Sequence, residues 1–453
     1  MFKTLRNAWT IPELRRKILF TLFIVFLYRV GAAIPVPFID YQAMQTTAAW
    51  YSEGILSYLN ILSGYAFSKA TLLALSVTPY INASIIMQLL TIAIPALERM
   101  SKNGEDGRKK IEKITRYVTV GIAIVTAYGY YAILGSSTYT GVTGGFLLFG
   151  SGSGFDRIFS AIVIIACYTA GACLVMWLGE KIDEQGIGNG ISMILFANIV
   201  SGLPSTFVQF QQNLTAKQTS GYFEGDYVPM WLQIVLWVAV IVVLIGSIVF
   251  VTYMSDAERR IPVQYAKRTV GRKQYGGQSS NLPIKLNMSG VMPIIFASTI
   301  VSLPITIISF FNPAEGTFWR GVYNALSTDS WIYMIVLFIL IIAFAYFYIS
   351  ISFNPVEVAN NLMQQGGSIP GIRPGRPTAL YIKKVLNKVV LMGALFLGIV
   401  ACFPLLLNIV TGGLLNVISF SGSTLLIVVG VILETVREME AQMTMRHYKG
   451  FLD

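Results

Sequence analysis

Charge is what this 453-residue chain lacks most. Only 12% of its residues are Asp, Glu, Lys or Arg, against about 25% in an ordinary soluble domain. A soluble chain of this length could not cover its surface with so few. Histidine is nearly absent too. His447 stands alone, which leaves no imidazole cluster for a zinc site and no serine–histidine triad. The three cysteines, Cys167, Cys173 and Cys402, sit in apolar runs without metal-ligand spacing and read as small packing residues. No GxxxxGK[ST] loop occurs, so any energy input must come from a partner. Gly186-Ile187-Gly188-Asn189-Gly190 follows no strand and opens an apolar run. It reads as a tight break, not as a phosphate cradle.

What is present is apolar surface. Hydrophobic residues make up 55% of the chain and aromatics 13%, which excludes disorder. Ten runs are long enough to cross a bilayer: roughly 18–35, 71–94, 115–135, 156–179, 189–208, 231–253, 289–311, 331–353, 386–407 and 414–434. The fifth is interrupted by Gly202 and Pro204. The basic start and the apolar run from Ile18 to Leu27 look like a signal peptide, but no small-x-small site follows, so this is read as a retained first span.

The basic residues then fix an orientation. With the N-terminus cytoplasmic, 28 of them fall on the cytoplasmic side and four on the other, and Arg29 lies within the first span. Both ends are therefore expected to be cytoplasmic. Ten spans divide into two sets of five, and an odd number per half turns the second half over, which is the arithmetic of an inverted repeat.

Several spans carry polar or helix-breaking residues. Pro79, Asn82, Ser84 and Gln88 lie in the second, Asn198, Ser201 and Gly202 in the fifth, and Pro293, Ser298, Thr299, Ser302 and Pro304 in the seventh. Such residues face other helices or a wet path, not lipid. No span holds an Asp or Glu near its middle, which argues against a proton- or cation-coupled transporter. Arg29, near the outer end of its span, is read as a structural residue that snorkels to the interface. The stretch Leu56–Lys69 is apolar but too short to cross, so it reads as a re-entrant or interfacial segment.

Two long basic loops remain. Ser255–Met288 alternates around Val263 and Tyr265 like a hairpin finger. Asn354–Lys384 is punctuated by Gly366-Gly367, Pro370-Gly371 and Pro374-Gly375, with Arg373 between two turns. Their length and turn density point to docking of an anionic partner, either ribosomal RNA or an acidic protein surface.

Specific stretches now carry a resemblance. TPYINASIIMQLL, GEDGRKKIEKITRY, MWLGEKIDEQGIGNGIS, ERRIPVQYAKR, GGQSSNLPIKLNMSGVMPIIFAS, FNPVEVANNL, GGSIPGIRPG, STLLIVVGV and EAQMTMRHYKGF run the length of the chain in order. Together they resemble the SecY/Sec61-alpha family of protein-translocase channel subunits.

The resemblance implies an all-α polytopic membrane protein with ten transmembrane helices in two inverted pseudo-symmetric halves around an hourglass pore. The halves would be 1–210, with a plug at about 56–69, and 211–453, with cytoplasmic loops at about 254–288 and 354–385. It implies a pore ring of Val77, Ile81, Ile187, Ile191, Ile295 and Ile427. Branched apolar side chains there would close a pore by dewetting. Ile187 and Ile191, four apart, are expected to share a helix face. The plug would include Leu59, Ile61, Leu62 and Gly64, stiffened by Ser63-Gly64-Tyr65 where the family often has consecutive glycines. Asn82, Gln88, Ser298 and Thr299 would line a lateral gate, between the second and third spans on one side and the seventh and eighth on the other. Arg272, Lys273 and Arg373 would dock partners.

The implied partners are SecE, SecG, the motor ATPase SecA and the translating ribosome. The substrate would be an unfolded polypeptide with a signal sequence, passed across the bacterial plasma membrane or released sideways into lipid. No cofactor and no catalytic site are expected. Two other classes stay in view. A secondary transporter shares the broken helices and inverted repeat. An intramembrane enzyme would need paired acid–base groups at membrane depth, which the spans lack.

Overall fold

The computed structural model describes residues 2–46, 54–136, 145–149, 154–215, 230–265, 268–270, 273–275, 279–288, 290–311, 316–327, 330–410 and 421–449. In chain order the elements begin with α1 (Phe2–Thr10), α2 (Pro12–Gly31), α3 (Tyr41–Thr46), α4 (Gly54–Leu62), α5 (Thr78–Ala93) and α6 (Pro95–Lys102). Then come α7 (Gly104–Gly135), α8 (Gly154–Gln185), α9 (Gly190–Thr215) and α10 (Met230–Asp256). Strands β1 (Glu258–Tyr265), β2 (Arg268–Val270), β3 (Lys273–Tyr275) and β4 (Ser279–Lys285) follow. The rest are α11 (Met292–Phe311), α12 (Phe318–Ala325), α13 (Trp331–Ser352), α14 (Pro355–Gln364), β5 (Gly367–Ser368), α15 (Arg376–Val410) and α16 (Ser421–Lys449).

Each expected span overlaps one of these helices. Six described helices are long and apolar enough to cross a membrane: α7, α8, α9, α10, α13 and α15. The pair α5 and α6, bent by 105°, passes the same test when the two helices are taken together. Proline makes that bend. Pro95 cannot donate a backbone hydrogen bond, and Ile94 before it is driven to extended φ −107°, ψ 112°. The expected second span is shorter than its apolar run, because residues 71–77 are turns and the helix begins only at Thr78. By contrast α9 runs unbroken through Gly202 and Pro204. Residues 411–420, at the start of the expected tenth span, lie outside the described residues.

The chain forms two compact units. One comprises 1–216, 299–333 and 431–453; the other comprises 217–298 and 334–430. These differ from halves cut at residue 210, since the last helix from Val431 belongs with the first unit.

In the first unit small residues set the helix distances. A Cβ on Gly171 would lie 2.0 Å from the Leu72 carbonyl oxygen, and one on Gly190 would lie 2.0 Å from that of Gly179. Tyr28, Tyr130 and Tyr168 are fully buried there. In membrane bundles, where lipid is as apolar as the side chains, such close backbone approach supplies much of the packing.

In the second unit, α10 presents Ile234, Val238, Ile241, Val242, Ile245 and Val249 to its surroundings, the all-round apolar surface of a helix bathed in lipid. Outside the spans the unit has a folded platform. β1 pairs antiparallel with β4, and β5 joins its other edge, giving the order β4-β1-β5. Ile261, Val263, Ile284, Leu362, Ile369 and Ile382 pack together beneath this sheet. Asn354 starts α14 by accepting a hydrogen bond from the Val356 N–H at 3.2 Å, with Pro355 in the first turn.

Candidate functional site

The expected ring residues can be placed one by one. Ile81 lies in the first turn of α5 and donates its N–H to the Val77 carbonyl at 3.0 Å. Val77 itself is the residue before the helix and is buried. Ile191 lies in the first turn of α9, packed against Gly179. Ile187 lies in the break before α9, buried with Ala8, Leu14, Val436 and Met439. The expectation that Ile187 and Ile191 share a helix face is therefore wrong, because the helix starts only at Gly190. The side chains one turn on from Ile81 and Ile191 are Ile85 and Leu195. In the second unit Ile295 and Ile427 are both buried, in α11 and α16.

The break is built from side chains that bind backbone N–H groups. Thr21 Oγ1 accepts from Ile187 at 3.0 Å, Glu438 from Gly188 at 2.8 Å, and Asp183 from Gly190 at 2.7 Å. Asn189 Oδ1 accepts from Ser192 at 3.0 Å. The N–H groups of Gly190 and Ser192 are among the donors a helix start leaves open. Gly188 takes φ +81°, a conformation that favours glycine. Burial raises the pKa of Asp183; the Gly190 N–H pulls it down, and Glu180, Glu438 and Glu112 push it up. Thr21 and Glu438 were not legible from sequence as ligands of the break, because they lie in helices distant along the chain.

The segment expected to form a plug is helical only as far as Leu62 and continues as turns. α4 ends at Leu62, and Leu62 is buried. Leu59 and Ile61 are half-buried, and Gly64 takes φ +64°. The turns that follow hold three non-glycine residues in the left-handed region: Tyr65, Ala70 and Ser76. Tyr130 donates its hydroxyl to the Phe67 carbonyl, and Asn60 Oδ1 accepts from the Ser68 N–H at 2.9 Å. Arg29 does not snorkel to water. It is half-buried and donates to Asn198 at 3.2 Å and to Ser201.

Of the expected gate residues, Asn82 is buried and its Oδ1 has no hydrogen-bond partner among the described residues. It faces a cavity of about 50 Å³ shared by Leu59 of α4, Phe67 of the turns after it, Thr126 and Tyr130 of α7, and Ser302 and Leu303 of α11. Gln88 is half-buried, and Ser298 and Thr299 are buried. Ser298 Oγ donates back to the Ile295 carbonyl at 3.0 Å.

Of the three residues expected to dock partners, only Arg373 is fully described. Arg373 is exposed between Gly371 (φ +80°) and Gly375 (φ +94°), and its carbonyl accepts from Thr378 Oγ1 at 2.8 Å. Lys273 lies in β3, but its side chain is outside the described residues, as is Arg272 altogether.

With this geometry in hand, comparison with known proteins decides the family. The SecY family model matches residues 71–436. The chain belongs to the SecY family. The protein translocase subunit SecY of Streptomyces coelicolor is 41% identical over the full length of both chains. That of Mycobacterium tuberculosis is 41% identical over 97% of each. A solved protein-conducting channel has the same fold at TM-score 0.60 and 18% identity, covering 97% of each chain. Sec61 in the canine ribosome–channel complex gives 0.58 at 17%, again over 97% of each. As a SecY-family protein the chain is a multi-pass membrane channel of protein translocase, not an enzyme.

Proposed function

We propose that this channel passes unfolded polypeptides bearing a signal sequence across the bacterial plasma membrane and releases apolar segments sideways into lipid. The chain would cross ten times with both ends in the cytoplasm, a reading supported by the 28-to-four division of its basic residues. Its partners would be SecE, SecG, SecA and the translating ribosome. A relative's solved structure is of a ribosome–channel complex, and the basic platform offers the charge such a partner needs.

The observation that carries the reading is the cavity beside α4. A helix too short to cross lies against the second, third and seventh spans, and a buried Asn82, whose Oδ1 has no partner among the described residues, faces the space they share. A seam with an unsatisfied polar atom is weaker than a fully apolar one, which suits a gate that must part. We place the pore ring at Ile81, Ile191, Ile295 and Ile427, with Ile85 and Leu195 in place of Val77 and Ile187. That substitution is favoured because each pair then lies one turn apart on a single helix. Asn82, Gln88, Ser298 and Thr299 line the gate, Leu59, Ile61, Leu62 and Gly64 belong to the plug, and Arg272, Lys273 and Arg373 dock the motor or the ribosome.

The test is reconstitution in liposomes with SecE, SecG, SecA, ATP and a radiolabelled precursor, reading precursor protected from added protease. ATP-dependent protection, lost with Arg373→Glu, is the expected result. Full protection with Arg373→Glu refutes the docking role. No protection by the wild type beside an active motor refutes the motor-driven channel.

A further inference from the structure

We propose that Asn198 is the latch of the plug, a positioning residue that fastens both ends of the segment from Leu62 to Ser76 to one point on α9. The inference rests on reading α4 and its turns as the plug, and it assigns what holds that plug shut.

The geometry is specific. Asn198 is completely buried. Its Nδ2, with two hydrogens to share, lies within hydrogen-bond distance of the Leu62 carbonyl at 2.9 Å, Tyr28 Oη at 2.9 Å and Ser76 Oγ at 3.0 Å. Its Oδ1 accepts from Arg29 Nη1 at 3.2 Å. Leu62 is the last residue of α4, so its carbonyl is one that the helix leaves unpaired. Ser76 stands at the far end of the turns, one residue before the cap of α5. One amide therefore closes the loop. Tyr28 Oη also meets Ser76 Oγ at 3.1 Å, completing the ring of contacts.

Arg29 reinforces the clasp. Its guanidinium donates to Asn198 and Ser201, both on α9, and no ion pair to it occurs among the described residues. A cation beside a helix C-terminus is favourably placed. Gly64 makes room for it: a Cβ there would come within 2.6 Å of Arg29 Nη1, and its φ is +64°. Departure of α4 would strip Asn198 of a backbone partner inside a site with few alternatives. Buried donors left in that state oppose opening. The left-handed residues Tyr65 and Ser76 flank the clasp, so the same amide holds backbone conformations that L side chains rarely adopt. Anything that draws α9 away from α4 and its turns breaks the Asn198 contacts to Leu62 and Ser76 together.

The experiment uses the full chain with its co-expressed partner subunits in liposomes. The three native cysteines are replaced by alanine, and Leu59→Cys reports plug position through its labelling rate with a membrane-impermeant maleimide. Resting ion leak is measured in parallel. Asn198→Leu is expected to raise labelling about tenfold, the loss of roughly one to two net hydrogen bonds. Tyr28→Phe, which removes one member without opening a cavity, is expected to raise it several-fold, while Ser201→Thr, which keeps the hydroxyl, changes nothing. Raised labelling with raised leak supports both latch and plug. Raised labelling without leak supports the latch and overturns the plug reading on which it rests. Unchanged labelling in both Asn198→Leu and Tyr28→Phe, with assembly intact, overturns the latch. So does a lowered melting temperature without faster labelling, which marks Asn198 as packing alone.

Discussion

Replacing Ile261 by alanine should dissolve the platform that presents Arg373 while leaving the membrane channel closed. Ile261 is 2% exposed, in the centre of β1 and opposite Leu282 of β4. The change removes three buried side-chain carbons, worth about 2.4 kcal/mol at about 0.8 kcal/mol each. The cavity left behind adds to this, within the roughly 2–5 kcal/mol seen for such truncations. Even about 2.4 kcal/mol raises the locally open population roughly 60-fold. Val263, Ile369 and Ile382 share the same cluster, so β5 and the turns around Arg373 should loosen with the finger. The assay is limited trypsin digestion of protein in liposomes, paired with motor-driven export and resting leak. Faster cleavage within 258–285, weaker export and unaltered leak are expected. Unchanged cleavage would refute the claim that the two loops share one core, and a rise in leak would refute the separation of platform from pore.

Other outcomes follow from the same reasoning. Ile81→Asn with Ile191→Asn should hydrate the waist and raise single-channel conductance at rest, whereas Val77→Asn should not; equal effects would show the ring misplaced. Asp183→Asn keeps an acceptor for the Gly190 N–H. Burial raises the folded-state pKa of Asp183, so its protonated form is favoured by folding, and stability is lost as pH rises through that pKa. The melting temperature of Asp183→Asn should therefore gain on the wild type from about pH 4 upward; a gap independent of pH would contradict this. Gly171→Ala would place a Cβ 2.0 Å from the Leu72 carbonyl oxygen, so it should lower stability by about 1–3 kcal/mol, and an unshifted melting curve would disprove that close approach.

The membrane class and the location of the spans were legible because hydropathy and loop charge are local properties. The finger was legible from the alternation around Val263 and Tyr265, and β1–β4 pairing bears it out. What failed was anything set by a partner distant in sequence. The shared helix face of Ile187 and Ile191 was misread because four-residue spacing presumes a helix, while Thr21 and Glu438 hold that stretch as a break. Arg29 looked like a snorkelling residue because Asn198 is 169 positions away. Neither relation has a periodicity that could betray it. That β5 closes the finger's sheet was hidden for the same reason: a two-residue strand has no pattern of its own.

The Gly188–Glu438 hydrogen bond bears on biogenesis. Its partners are 250 residues apart. At about 5–20 residues per second of synthesis, the carboxylate arrives roughly 12–50 s after the glycine that needs it. Throughout that interval the first five spans exist with the Gly188 N–H lacking its final acceptor. The N-terminal portion therefore cannot mature before the last helix is made. A nascent chain halted short of Val431 would expose that gap, a molecular mark by which quality-control proteases could tell an unfinished channel from a complete one.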